Sequence, residues 1–153
     1  MANLFTQTSP ELFLQLLLAV VLGGLVGIER ELKGKEAGMR TYALVALGSA
    51  LFTIVGIEIL KALGTSPGVS FDPSRVIYAV AIGIGFIGAG AILHRESHVE
   101  GITTAAGLWV VAAIGVAVGF QLYIIAVFVA LLALLIFSPF RFFEKKLMKT
   151  KKE

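Results

Sequence analysis

From Ile102 to Phe140 the chain carries no charged side chain. As one α-helix this run would extend about 58 Å at 1.5 Å per residue, nearly twice the ~30 Å hydrocarbon thickness of a bilayer. A soluble core helix keeps a polar stripe at a 3.6-residue period, and this run has none. Composition points the same way. Hydrophobic residues make up 58% and charged residues 15% of the 153 positions, where soluble domains have about 45–50% and about 25%. Mean hydropathy is +0.93. Scarce charge excludes a disordered chain, and the lack of cysteine excludes a disulfide scaffold. The class is an all-α, polytopic membrane protein.

The uncharged run divides at Gly119-Phe120-Gln121, where a glycine meets a strongly polar side chain. Five apolar blocks result: 12–28, 41–60, 76–93, 102–118 and 122–137. Each approximates the roughly 17–25 residues that a spanning helix needs. Ser9-Pro10-Glu11 and Asp72-Pro73 precede the first and third blocks as helix starts, an acceptor cap followed by proline. Residues 1–138 are expected to form one five-helix transmembrane domain, and 139–153 a basic tail. The N-terminus lacks the basic region of a cleaved signal peptide. With it outside, every lysine and arginine except Lys61 and Arg75 faces the cytoplasm, as the positive-inside rule requires. A four-span chain would put the six positive charges of the tail outside. In that tail Phe140, Phe143 and Leu147 share a face away from Arg141, Lys145 and Lys149, which suits an anionic inner leaflet; a plain stop-transfer anchor explains it equally.

Small residues recur at helical spacing. The first block carries Ala19, Gly23 and Gly27, with Gly24 alongside, and the fourth ends with Gly115 and Gly119. The third contains GIGFIGAG, with Gly83, Gly85, Gly88 and Gly90. Lipid gives helices no hydrophobic reason to associate, so close approach through small faces supplies the packing. Packing within the chain is one reading; a homodimer seam on the first or third helix, or a bend in the third, is the other. Gly83, Gly85 and Gly88 also match a dinucleotide-binding G-x-G-x-x-G. That motif needs a preceding strand and an acid about 20 residues on, and Thr103 and Thr104 stand near that offset.

Polar chemistry is confined to helix ends. Glu29, Arg30 and Glu31 close the first helix, and Arg40 with Thr41 opens the second. An acid at a helix C-terminus opposes the macrodipole, so Glu29 requires a partner, Arg40 or Arg30. Lys33, Lys35 and Glu36 read as ordinary solvated charge. Asp72 is expected to cap the third helix, and Arg75 to pair with Asp72 or Glu58. His94 and His98 stand four apart with Glu96 and Glu100, but Arg95 occupies the glutamate position of H-E-x-x-H, so an exposed polar loop is expected and no metal. Thr103 and Thr104 open the fourth helix, and Trp109 reads as packing. Apart from Glu58 near the end of the second block, Gln15 is the one strongly polar side chain within the spans. No nucleophile, tuned acid–base pair or cofactor motif is present, so neither catalytic residues nor a cofactor are expected.

Three segments together resemble the MgtC/SapB family of bacterial inner-membrane proteins: GGLVGIERELKGKEAGMRTYALVALGSALF (23–52), DPSRVIYAVAIGIGFIGAGAIL (72–93) and VEGITTAAGLWVVAAIGVAVG (99–119). The family pattern falls on Gly27, Glu29, Arg30, Glu31, Gly38, Arg40, Thr41, Asp72, Ser74 and Arg75. It continues through Gly83, Gly85, Gly88, Gly90, Gly101, Thr103, Thr104 and Trp109. The resemblance covers the transmembrane domain, without the soluble ACT-like domain that many members carry. It implies a five-helix membrane domain tied to magnesium homeostasis and virulence, in contact with a complex such as ATP synthase. From the residues themselves a non-enzymatic protein and, through the glycine faces, a homodimer are expected, and nucleic acid is not an expected partner. A transporter or channel gated at Glu29/Arg40 and Asp72/Arg75 is the alternative.

Overall fold

The computed structural model describes residues 10–63, 72–95 and 98–138. The chain runs α1 (Pro10–Leu32), α2 (Met39–Leu63), α3 (Pro73–Gly90), β1 (Leu93–Arg95), β2 (His98–Glu100), α4 (Ile102–Gly119) and α5 (Tyr123–Phe137). The first four helices are long and apolar enough to cross a membrane, and α5 is a shorter apolar helix of 15 residues. This is an all-helical bundle of membrane type, with its tail at 139–153 outside the described residues.

Helix α4 is the axis, packed against all four others. Its buried stripe runs through Thr104, Gly107, Val111, Gly115 and Val118, a spacing of three or four residues that keeps one face inward. Stripes on two neighbours complete the core: Ala19, Gly23, Val26 and Gly27 on α1, and Tyr42, Ala46, Ala50 and Thr53 on α2. A Cβ on Gly23 would stand 2.7 Å from the Tyr42 carbonyl oxygen, and one on Gly115 2.3 Å from the Ala46 oxygen. Backbone therefore lies against backbone along this seam, the close approach that small residues permit. Gly107, passed over in the sequence reading, belongs to it: a Cβ there would meet the Tyr42 hydroxyl at 2.3 Å.

Helix α3 is different. Only Ile84 and Gly88 are buried. Gly88 touches Ala105, while a Cβ on Gly83, Gly85 or Gly90 would meet nothing within 4 Å. Those three glycines do not pack within the chain, because α3 leans on α4 by one side and turns the rest outward. Trp109, read as packing, is likewise 54% exposed.

Two connections correct the expected boundaries. The third block was expected to continue to Leu93, but α3 ends at Gly90, where the Ala91 N–H reaches back to the Gly88 and Ile87 carbonyls. The expected loop is an antiparallel hairpin pairing Leu93 with Glu100, His94 with Val99 and Arg95 with His98. It closes onto α3 at Gly101, whose φ is +87° and whose Cβ, were there one, would lie 1.9 Å from the Ala91 oxygen. Only glycine fits there. The α4–α5 turn falls at the expected Gly119-Phe120-Gln121. Gln121 takes a left-handed φ of 63°, while Gln121 N–H bonds the Val118 carbonyl and Leu122 N–H the Ala117 carbonyl. This is a Schellman ending with glutamine where glycine is usual.

Candidate functional site

The end of the bundle that holds the α1–α2 turn and the hairpin carries a buried polar knot. Its centre is Arg30, in the last turn of α1 and 4% exposed. The position is three residues beyond Gly27 and seven beyond Gly23, so the small face of α1 delivers its last member, a guanidinium, into the core. Arg30 Nη2 donates to Thr104 Oγ1 at 3.4 Å. The guanidinium lies over the Phe137 ring, 4.4 Å from its centroid, an attraction worth about 2 kcal/mol where water is excluded. The Tyr42 hydroxyl donates to the Thr104 carbonyl at 3.3 Å. Helices α1, α4 and α5 thus meet at one cation, and Tyr42 of α2 braces Thr104 beside it.

Glu29 flanks it. Its carboxylate lies 4.0 Å from Arg30 and forms an ion pair with Lys33, one turn on. Lys33 Nζ also donates to the Phe137 carbonyl at 2.7 Å, covering an orphan acceptor at the end of α5, where a cation is favoured by the helix dipole. The expected Glu29–Arg40 pair does not form: Arg40 is exposed and makes no ion pair with a described residue. Lys33, assigned above to solvated charge, takes its place, because one helical turn brings it beside Glu29 whereas Arg40 starts a new helix facing away. Arg30 and Lys33 outnumber the one acid, so the knot is net positive. The donor set suits structural locking or an anion rather than a divalent cation.

The other expected residues lie elsewhere. Glu31 Oε2 accepts the Met39 N–H at 2.8 Å and so caps α2 from across the turn. Thr103 is exposed, unlike Thr104. Glu100 sits in β2, its Oε1 2.7 Å from His98 Nε2. At the opposite end Asp72 caps α3, accepting from Ser74 N–H at 2.9 Å and Ser74 Oγ at 2.7 Å. Those two bonds hold the Asp72 carboxyl below its ordinary range. Arg75 does not pair with Glu58, which binds Lys61 at 2.8 Å instead. Arg75 and Thr41 line the groove between α2 and α3. Gln15 is buried in α1 with neither side-chain polar atom bonded among the described residues.

Tyr42 and Phe137 were not singled out from the sequence, and Lys33 was assigned a different role. The signal was present in the stripes: Tyr42 heads the series Ala46, Ala50, Thr53, and Phe137 ends the series Ala126, Ala130, Ala133. Side chains continuing a small-residue stripe must enter the core.

A bundle of long apolar helices with its polar groups gathered at the ends defines a multi-pass membrane protein. The MgtC family model matches residues 16–146. The chain belongs to the MgtC family. It is 41% identical over 140 residues to YhiD of Escherichia coli (strain K12), a protein named as a proposed magnesium transporter; the match takes in 92% of this chain and 65% of YhiD. Protein SrpB of Synechococcus elongatus is 43% identical, over 78% of this chain and 71% of its own length. Protein MgtC of Salmonella typhimurium is 45% identical, over 69% of this chain and 42% of its own. Against YhiD and MgtC, then, the chain spans less than two thirds of the relative's length. No solved structure matches.

Proposed function

We propose that the chain is the membrane domain of a non-enzymatic regulator in the bacterial inner membrane, working by helix–helix contact with a membrane complex such as ATP synthase during low-magnesium adaptation. Its N-terminus lies outside and its basic tail in the cytoplasm, against the anionic leaflet. The observation that carries this reading is the state of Arg30, engaged by groups from two other helices, Thr104 of α4 and Phe137 of α5, and flanked by Glu29 of its own. A locked cation of this kind gives a rigid scaffold, while Gly85 on α3, one turn from Ala81 and from Ala89, leaves a small-residue face free for another helix. Gly85→Leu tests it. Nothing lies within 4 Å of the added Cβ, so the variant folds, and it is expected to lose a partner that co-purifies with the native chain under magnesium limitation. A well-folded Gly85→Leu protein that retains the partner overturns the reading.

One observation favours transport instead: the Glu29 carboxylate oxygens are shielded from solvent at the end of a spanning helix, a setting in which acids serve ion pathways. Magnesium flux into liposomes carrying purified protein, lost in Glu29→Gln, would establish it; no flux beside a working control removes it.

A further inference from the structure

Helices α2 and α3 stand apart and leave an open groove of about 840 Å³ between them. It runs from Arg75 to Ile87 along α3 and from Phe52 to Thr41 along α2. Twelve residues of helix make about 18 Å, slightly more than the ~15 Å depth of one leaflet in a hydrocarbon core about 30 Å thick. The walls are apolar apart from Thr41 at one mouth and Ser49 midway, and the one charged lining residue is Arg75 at the other mouth. Glu58 is paired with Lys61, and Asp72 accepts from Ser74 and caps the helix three residues before Arg75 without an ion pair to it among the described residues. Arg75 is exposed in the first turn of α3, where the free N–H groups of the helix add to its positive field.

We propose that this groove binds one anionic phospholipid, its phosphate at Arg75 and one acyl chain lying between α2 and α3. A cation at the mouth of an apolar channel one leaflet deep matches the two halves of such a molecule. A second copy of the chain fits less well. Two-fold docking through α3 would bring the two Arg75 side chains toward each other, and the exposed large side chains along α3, such as Ile77, Ile82 and Phe86, give that face no polar complement beyond the capping Asp72.

The test is native mass spectrometry of the detergent-purified chain titrated with dioleoyl phosphatidylglycerol, dioleoyl phosphatidylcholine or inorganic phosphate. The expected result is a single phosphatidylglycerol bound about fivefold more tightly than phosphatidylcholine, the margin for one interfacial arginine, with no saturable phosphate. Arg75→Gln brings phosphatidylglycerol down to the phosphatidylcholine level. Gly83→Phe fills the groove at a position where a Cβ meets nothing within 4 Å, keeps the native helical melting profile and weakens both lipids. Equal binding of the two lipids, a preference surviving Arg75→Gln, lipid retained by folded Gly83→Phe, phosphate binding as tightly as phosphatidylglycerol, or a dimer abolished by Gly83→Phe would each overturn the proposal.

Discussion

Helices α1 and α3 carry the same kind of small-residue stripe and put it to opposite use. On α1, Gly23 and Gly27 lie against the backbone of α2, where a Cβ would come within 2.7 Å of Tyr42 O or Met39 Cα. On α3, Gly83, Gly85 and Gly90 face open space. Spacing alone does not separate the two cases. What separates them is continuation: the α1 stripe runs on into Arg30, which needs burial partners, whereas the α3 stripe ends in a turn.

The contrast can be broken by substitution. Gly115→Leu, in the seam against Ala46 and Ser49, is expected to cost more than about 3 kcal/mol, beyond ordinary overpacking because backbone must move; thermal unfolding in detergent would show the loss. Arg30→Met removes the hub while leaving Glu29 with Lys33, for an expected cost of about 2–3 kcal/mol in the same measurement. Thr104→Val keeps the shape and deletes one hydrogen bond, for about 1 kcal/mol. Gly85→Leu should lie within about 0.5 kcal/mol of the native chain, since leucine is the better helix former and no neighbour is displaced.

The smallest effect concerns Asp72. Its carboxyl is held below the ordinary value of 3.8 by Ser74, so its contribution is complete above that value and fades as pH falls through the lowered one. The stability gap between the native chain and Asp72→Ala should therefore be constant from about pH 5 to 8 and close only below about pH 4, as melts across that range would show.

Much of the fold was legible because lipid imposes long apolar runs, and capping groups such as Asp72 act within three residues of themselves. The knot was half legible. Glu29 announced its need for a partner through its conflict with the helix dipole, but the choice of Lys33 over Arg40 depends on the course of the turn beyond Leu32. Phe137 lies 104 residues from Lys33, and no local pattern links them. The hairpin at 93–100 was read as a loop because three-residue strands are too short to display alternation.

The bond from Lys33 to the Phe137 carbonyl joins the first helix to the last. A ribosome releases these segments in order, so the α1 guanidinium must wait through most of translation before its aromatic lid arrives. Until then its cation–π partner is missing. Completion of α5 is therefore what covers the guanidinium, and a nascent chain lacking Phe137 would present membrane quality control with an uncovered cation.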